Sequence, residues 1–592
     1  MYINAEDKTV SSRHVKLKSL ILNVFQCFLI LIITINIFAL FASTPSIGLN
    51  YIKANISNLK WMELAEKDLE IIRISRKLIR KNGVVLNFTY IKFNMIIGEG
   101  KTFIYGVLVK RVDLENKVPG IVLVHGWGGN HKSLLSYAEY LASEKFVVLA
   151  IDAAGHGKSG LINRPKVLYL TDWDFKNIEY SLLRQVYLSA IRAVSVLTRV
   201  PSVDSRKIGI CGASMGGLTS LVAGAVDPRI QVVVPVVASG CLLSSIRLGG
   251  LSNFLISRNI SRFNKYLANV AYIDPVNYVH LMKNKRIYIL FSTHDEFFPI
   301  EGLLRTLSKI KAEELYLSLA ANNNHYREYY GWREYALKFF KHVFYGEDFP
   351  KLEYSAVDLE LGLYAGAKDG VYLEVRPAIQ GFPYTRLKPP VFLPYLFPLQ
   401  YLVELRDSSG RLVVTSAPVK VGSTAATVVL VLSVVLLLLS KRSLKHLPDL
   451  FFVTIAALVH VSPLLHCPSR FTLNILQLTE RYGVYTGSLY TTPFLALLSP
   501  IVYYLCLLMK NKKEKILLAI VYLIVSSATF IEVSYIISRV LSKVPEQLRP
   551  NILILPTFLL NLIPLIYLYA REKKLKKVLG DLKIILRATE KD

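Results

Sequence analysis

The stretch from Lys207 to Gly217 constrains the fold more than any other part of the chain. A short apolar run leads into a Gly-x-Ser-x-Gly pattern formed by Gly212, Ser214 and Gly216, and a run rich in small, helix-compatible residues follows. A strand before this pattern and a helix after it are the requirements of a nucleophile elbow. Because the two glycines lack Cβ atoms that would clash in the cramped turn, Ser214 is predicted to stand exposed at a helix N-terminus. The pattern alone also fits a glycine-rich turn with an incidental serine. Whether Ser214 is a nucleophile therefore depends on whether the chain also supplies an oxyanion loop, an acid and a base.

A second glycine-rich turn supplies the first of those partners. The apolar run from Pro119 to Val124 reads as a buried strand, and it ends in a loop that starts with His125 and Gly126. Such a loop can direct the backbone N–H of Trp127 at a developing oxyanion, with the N–H of Met215 as the second donor. His125 is predicted to be structural, as is His156, because each precedes a glycine in a turn that positions backbone.

An acid and a base follow two later strands. The apolar run from Arg286 to Phe291 is followed by Asp295, and the run from Leu315 to Leu319 is followed by His325. In this arrangement His325 takes the proton from Ser214 Oγ, and Asp295 holds the imidazole tautomer while an acyl-enzyme forms and is hydrolysed. Two neighbours, His294 and Glu296, compete for these roles. A solvated loop histidine is the alternative for His325.

These four elements together resemble an α/β-hydrolase domain over residues of about 85 to 345. The resemblance implies an α/β fold with a mostly parallel sheet, and it favours Asp295 as the acid because Pro299 and the residues between resemble the acid turn of that superfamily. Within the superfamily, residues 183–187 and 203–209 resemble acetyl xylan esterases, dienelactone hydrolases and prolyl-oligopeptidase-type enzymes. A serine at position 214 departs from the cysteine of dienelactone hydrolases. The short segment before Val84 has no room for the propeller of a prolyl oligopeptidase, so an esterase is favoured over a peptidase or amidase.

Composition indicates a membrane part in addition to the enzyme. Of the 592 residues 52% are apolar and the mean hydropathy is +0.38, which is high for a soluble enzyme alone. The apolar surplus lies in long runs, one from Ser19 to Phe41 and five near the C-terminus, each close to the roughly 20 residues of a bilayer crossing. We expect the first to be a signal anchor. The others are Thr424–Ser440, Leu450–His466, Thr492–Met509, Ile516–Ile537 and Ile552–Ala570.

The basic residues between these runs predict the orientation. Alternate connections, including the tail from Arg571 onward, hold 15 basic residues, whereas the intervening loops hold 5. By the positive-inside rule the richer side is cytoplasmic, together with the basic N-terminus. Six transmembrane helices in a cell membrane then leave both termini in the cytoplasm and the enzyme domain outside it.

The resulting division of the chain has seven parts, and their predicted bounds are residues 1–18 (cytoplasmic N-terminus), 19–41 (anchor), 42–83 (juxtamembrane helical segment), 84–345 (α/β-hydrolase domain, with 240–283 as a possible cap), 346–421 (small β-rich juxtamembrane module), 422–570 (five transmembrane helices) and 571–592 (basic amphipathic tail). Within the third part, Trp61 to Arg80 has apolar spacing that suits an amphipathic helix. Within the fifth, residues 407–410 predict a hairpin turn.

Other features exclude some functions. Five cysteines at scattered positions argue against a disulfide framework or a zinc site, and the mechanism needs neither metal nor cofactor. The net charge of +28 comes with basic clusters that flank the apolar runs and with no nucleic-acid motif, so nucleic acid is not an expected partner. Glu532 and His460 lie inside predicted spans and are candidate intramembrane polar residues, with a hydrogen bond between them as the simpler interpretation.

The favoured function is a membrane-anchored serine hydrolase that cleaves an external carboxylic ester. Its expected partners are a small-molecule ester or peptide-like substrate and a lipid membrane, and the oligomeric state is open. The alternative from another class is a membrane sensor or transport-associated protein whose hydrolase-like domain only binds a ligand. That alternative predicts a missing member of the Ser214, Asp295 and His325 set, and all three are present.

Overall fold

The computed structural model describes residues 53–421, apart from 82, 166–169, 171, 243–266, 294, 296, 299, 322, 324, 326–331, 358–359, 365–370 and 380–398, together with residue 521. The strands are β1 Ile71–Lys81, β2 Val84–Ile97, β3 Gly100–Arg111, β4 Val118–Val124, β5 Val147–Ile151, β6 Val203–Ala213, β7 Ile230–Val236, β8 Arg286–Ser292, β9 Glu314–Ala320, β10 Glu353–Val357, β11 Glu360–Tyr364, β12 Val371–Ile379, β13 Leu399–Asp407, β14 Leu412–Thr415 and β15 Val419–Val421. The α-helices are α1 Trp61–Glu66, α2 Leu135–Ser143, α3 Asp172–Lys176, α4 Leu182–Thr198, α5 Met215–Val226, α6 Leu267–Val270, α7 Ile300–Leu307 and α8 Trp332–Tyr345.

A nine-stranded sheet with the order β1-β2-β3-β5-β4-β6-β7-β8-β9 organises the central domain. The pairings from β5 to β9 are parallel, whereas β1, β2 and β3 pair antiparallel with one another and with β5. All residues of β4 and β5 are buried, as expected for strands covered on both faces. The predicted α/β fold with a mostly parallel sheet is therefore confirmed.

Helices cover both faces of this sheet and divide the core in two. On one face α1, α4 and α5 pack into the larger apolar cluster. On the other face α2 and α8 pack into the second cluster. Because the parallel strands all end at one edge, the loops that follow β4, β6, β8 and β9 meet there.

The helix predicted over Trp61 to Arg80 is wrong beyond its first turns. Helix α1 ends at Glu66, and Ile71–Lys81 forms the antiparallel edge strand β1 on β2. The pairing of Lys81 with Val84 leaves a two-residue connection, Asn82-Gly83, with Gly83 at a φ of 76°. Asn-Gly is the preferred connection of a tight hairpin, and the segment is rich in β-branched isoleucine. The connection therefore joins two paired strands, and the interpretation of residues 42–83 as helical fails for β1.

The β-rich character predicted for residues 346–421 is confirmed, and so is the hairpin at 407–410. Strands β12, β13, β14 and β15 form a four-stranded antiparallel sheet, and β10 pairs with β11. The sheet packs directly on the central domain: Tyr288 Oη donates to the carbonyl of Val413, and Thr415 Oγ1 accepts from the Leu319 N–H at 3.0 Å. Tyr335 of α8 also donates to Asp407.

The predicted cap is only partly described. Its C-terminal part carries α6 and two short 3₁₀ turns, and it is packed into the core, where Tyr187 Oη donates to the carbonyl of Ile273 at 2.9 Å. Asp274 also accepts from the Leu242 N–H at 2.8 Å. The remainder, 243–266, lies outside the described residues, so a cap over the site stays a prediction.

The membrane part also stays a prediction. In the part of the chain that the structure describes, no helix has the length and apolar character needed to cross a bilayer. All six predicted spans, with Glu532 and His460, lie outside the described residues except for residue 521.

Candidate active site

The nucleophile elbow predicted from the sequence is present. Strand β6 ends at Ala213, α5 begins at Met215, and Ser214 between them has a φ of 57° and a ψ of −115°. A Cβ atom on Gly212 would come within 2.6 Å of the backbone of Gly216, which confirms the steric role of that pair. A non-glycine residue at positive φ is strained, and such strain is concentrated at functional sites.

Ser214, His325 and Asp295 form a continuous hydrogen-bonded chain. Ser214 Oγ lies 2.9 Å from His325 Nε2, and His325 Nδ1 lies 2.8 Å from Asp295 Oδ2. Ser214 is half-buried and therefore reachable, whereas the His325 side chain is 6% exposed. The fold thus brings together three side chains that are 111 and 30 residues apart in the chain.

The loop after β8 fixes Asp295. Its Oδ1 accepts from the N–H groups of Phe297 and Phe298, each at 2.9 Å, which leaves Oδ2 for the histidine. The two phenylalanine rings flank the imidazole, with centroids 4.6 and 5.7 Å away. The acid turn therefore orients both the carboxylate and the ring that it contacts. The rival candidates His294 and Glu296 lie outside the described residues.

The loop after β4 lies against the elbow. A Cβ on Gly126 would be 3.6 Å from the Ser214 Cβ, and the Gly129 N–H donates to the Gly126 carbonyl to form a tight turn that includes Trp127. On the other side, Met215 is the first residue of α5, and the first N–H groups of a helix have no acceptor within that helix. The predicted oxyanion donors, Trp127 and Met215, thus flank the serine from two segments.

His125 and His156 hold backbone, as predicted. His125 Nε2 accepts from the Ala153 N–H at 3.1 Å, and its Nδ1 lies 2.7 Å from the Gly126 carbonyl. Burial lowers the pKa of His125 to about 4, despite the hydrogen bond to Gly126, so the ring is neutral near neutral pH. Burial also lowers the pKa of His156, whose Nδ1 lies 3.0 Å from the Ala154 carbonyl.

One buried carboxylate near the site was not among the predicted residues. Asp152, which directly follows β5, accepts from the N–H and from Nδ1 of His131 at 2.7 Å each, and from the Lys158 N–H at 2.9 Å. Burial would raise its pKa, but the hydrogen bonds from His131 and Lys158 outweigh that effect and lower it. Asp152 therefore joins the loop after β4 to the loop after β5. Its position at a strand end was the available signal.

A cavity of about 220 Å³ adjoins this constellation. His325 and Gly126 lie in its wall together with Tyr137 of α2 and Cys211 of β6. Cys211 is buried, and burial raises the pKa of its thiol. Among the described residues, no group of three or more histidine, cysteine or acidic side chains could hold a metal ion.

Comparisons with known proteins match this domain to esterases. The sequence profile of the acetyl xylan esterase family matches residues 87–299, and that of the PhoPQ-activated pathogenicity-related proteins matches residues 256–367. The central domain is a serine hydrolase of the α/β-hydrolase fold. Because the family match is to esterases and not to peptidases, the esterase type is the supported one.

Individual relatives cover only part of the chain. An acetyl esterase of Xylanibacter ruminicola is 29% identical over 20% of this chain and 27% of its own length. An uncharacterized protein of Escherichia coli is 27% identical over 32% of this chain and 52% of its own length. The crystal structure of acetyl xylan esterase 1 from Thermoanaerobacterium sp. JW/SL YS485 is 18% identical, with a TM-score of 0.42, and covers 50% of this chain and 95% of that chain. The chain thus spans about half or less of the length of these two curated relatives.

Proposed function

We propose that the protein is a membrane-anchored esterase that cleaves a carboxylic ester on the outer face of the membrane. The observation that carries the chemistry is the chain from Ser214 Oγ through both nitrogens of His325 to the buried Asp295. The position of the domain outside the cytoplasm is supported by the distribution of basic residues between the predicted spans.

In the first half-reaction Ser214 Oγ attacks the ester carbonyl carbon while His325 Nε2 takes its proton. The carbonyl oxygen gains the negative charge, which the N–H groups of Trp127 and Met215 stabilise. Asp295 Oδ2 accepts from Nδ1 and stabilises the imidazolium. When the tetrahedral intermediate collapses, the C–O bond to the alcohol breaks, and Nε2 gives its proton to the departing oxygen.

The second half-reaction repeats these steps with water. His325 removes a proton from a water molecule that attacks the acyl carbon, and the same N–H donors stabilise the second tetrahedral intermediate. The bond to Ser214 Oγ then breaks, the serine recovers its proton from Nε2, and the carboxylic acid leaves. No metal or cofactor takes part in either step of this scheme.

The test is labelling with a membrane-impermeant fluorophosphonate, applied to intact cells and to lysed cells. We expect the full-length protein to be labelled in both, and the Ser214→Ala variant in neither. Ser205→Ala is the matched control, because Ser205 is an exposed residue of the strand that leads to the elbow. It should label like the wild type.

Each other outcome would contradict either the location of the domain or its chemistry. Labelling of lysed cells alone would place the domain in the cytoplasm and leave the chemistry intact. No labelling in either preparation would refute the hydrolase mechanism. If p-nitroanilides were cleaved as fast as the matching p-nitrophenyl esters, the protein would be an amidase or peptidase.

A further inference from the structure

The cavity beside the triad is larger than an acetyl group needs. Its volume of about 220 Å³ exceeds a cavity of about 150 Å³ that is known to accommodate benzene. An acetyl group places only a methyl group beyond the carbonyl carbon. The space therefore fits an acyl group about the size of a six-membered ring.

The walls are mainly apolar and come mostly from helices and strands of the central domain. Leu134 and Tyr137 come from the α2 region, Cys211 from β6, Val236 from the end of β7 and Trp332 from the start of α8. These elements surround the strand ends that carry the oxyanion loop and the nucleophile. Burying a methylene group against such walls contributes about 0.8 kcal/mol, so the cavity would favour an apolar chain.

The wall also contains polar side chains, which are His125, Ser133, Tyr137, His325 and Arg333. The Tyr137 side chain is buried, and its hydroxyl has no hydrogen-bond partner among the described residues. The ring is held edge-on by Trp332, with centroids 5.3 Å apart, and the Arg333 guanidinium carbon lies 5.9 Å from its centroid. A buried hydroxyl without a partner costs free energy and calls for an explanation, and a ligand that accepts a hydrogen bond from it supplies one.

The acyl side of the ester suits this cavity better than the alcohol side. The alcohol must diffuse away after the first half-reaction, whereas the acyl group stays bonded to Ser214 until water arrives. Gly126 of the oxyanion loop and Ala213, directly before the serine, both lie in the cavity wall. A group held there remains beside the carbonyl carbon throughout both half-reactions.

We infer that this cavity is the acyl-binding subsite of the proposed esterase, and that the acyl group is mainly apolar, larger than acetyl, and carries an oxygen that accepts a hydrogen bond from Tyr137. The inference rests on the proposed function. It also assigns Tyr137 as a specificity-determining residue.

The first experiment measures kcat/KM of the full-length protein for p-nitrophenyl esters from acetate to octanoate. We expect a rise of about fourfold for each methylene added, until the cavity is full. Leu134→Trp, which places a large ring in the cavity wall, should move the optimum to shorter chains. Leu135→Trp, one residue further along and outside the cavity wall, is its control.

The second experiment tests the hydroxyl. Esters of 4-oxopentanoate and 4-methylpentanoate have the same number of non-hydrogen atoms and differ in one acceptor oxygen. We expect Tyr137→Phe to lower the ratio of kcat/KM for the oxo ester to that for the methyl ester by about fivefold. Tyr140→Phe, on the exposed side of the same helix, should leave the ratio unchanged.

Failure of this inference differs from failure of the proposed function. Without fluorophosphonate labelling of Ser214 the esterase itself is refuted. With labelling but with acetate as the best acyl group, only the acyl subsite is refuted. An unchanged ratio of the two kcat/KM values in Tyr137→Phe would refute the role of the hydroxyl. If, in a series of acetate esters, kcat/KM depended on the chain length of the alcohol, the cavity would be assigned to the leaving group.

Discussion

Gly216 lies so close to Val124 that a Cβ atom on the glycine would come within 2.1 Å of the Val124 carbonyl oxygen. The first turn of α5 is thus pressed against the end of β4, which places the serine next to the oxyanion loop. We expect Gly216→Ala to push the elbow away and to lower kcat/KM at least about 100-fold, because a displacement of about 1 Å is enough for such a loss.

The control is a glycine whose added methyl group meets no neighbour. Gly346 has a φ of 75°, and a Cβ atom on it would have no neighbouring atom within 4 Å. Gly346→Ala should cost about 1 kcal/mol of stability through backbone strain alone and retain full activity. If both variants kept wild-type kcat/KM, close packing at the elbow would not be what positions Ser214.

Asp295→Asn tests whether the carboxylate sets the histidine tautomer. The amide oxygen can still accept from the N–H groups of Phe297 and Phe298, but the amide nitrogen then donates toward His325 Nδ1. This favours the tautomer whose Nε2 carries a proton and cannot take one from the serine. We expect kcat for an ester to fall at least about 10³-fold with the fold retained.

Circular dichroism and thermal unfolding give the control for that variant, since the turn keeps its hydrogen bonds. A fall in kcat of less than about tenfold, with an unchanged unfolding temperature, would show that another acid orients the histidine.

Ser214, Asp295 and His325 could be selected from the sequence because each lies at a recognisable strand end, and the fold brings the three side chains together. Gly212, Ser214 and Gly216 form a local motif, and the strands before Asp295 and His325 are continuous apolar runs. Their convergence follows from the parallel sheet, in which all of these ends share one edge.

Side chains that act through long-range contacts were not predictable in the same way. Tyr137 lies within an amphipathic helix, and nothing in its neighbours indicates that its hydroxyl lacks a partner. The contact between Asp152 and His131 joins two loops that are 21 residues apart. The packing of β14 against β9 joins segments nearly 100 residues apart, again without a local signal.

The misassigned helix over β1 has a local explanation. Ile72 and Ile79 are seven residues apart, a spacing that places both on one face of a helix. The same spacing also occurs in β1, which is an irregular strand with a register shift between Arg73 and Ser75. The strand pairs with β2 over its whole length, and those backbone hydrogen bonds decide the outcome. The Asn82-Gly83 pair, which favours a tight hairpin, was thus a better guide to this segment than the helical spacing of its isoleucines.

Burial of His125 predicts a pH dependence of stability. Burial lowers its pKa to about 4, whereas an unfolded histidine titrates near 6.5. Between these values the unfolded state binds more protons, so stability rises with pH over that window and is lost as the pH falls from about 6.5 to about 4. The contribution of His125 to this change is at most about 3 kcal/mol.

Urea unfolding at pH 7 and pH 4 measures it. In His125→Asn the difference in unfolding free energy between the two pH values should be smaller than in the wild type by up to about 3 kcal/mol. His280→Asn, at an exposed position, should leave the difference unchanged. Equal differences in the wild type and His125→Asn would mean that this histidine protonates in the folded protein as easily as in the unfolded one.

Arg192 ties three elements together from a fully buried position on α4. Its guanidinium donates to the carbonyls of Asn94, Leu64 and Lys67 at 2.6, 2.6 and 2.9 Å, and to Asn94 Oδ1 at 2.8 Å. Burial lowers its pKa to about 10, so it remains charged near neutral pH. Arg192→Ala would leave these acceptors unpaired and would create a cavity in place of the side chain. We therefore expect a loss of at least about 3 kcal/mol in unfolding free energy.

Arg199, at the end of the same helix, is the matched control because it is exposed and pairs with the exposed Glu66. Arg199→Ala should change the unfolding free energy by no more than about 1 kcal/mol. Arg192→Lys should recover only part of the loss, since one ammonium group lacks the planar fork that reaches α1 and β2 together. Urea unfolding of the three variants separates these cases. If Arg192→Ala were as stable as Arg199→Ala, the hydrogen bonds of Arg192 would not be what holds helix α1 and strand β2 to α4.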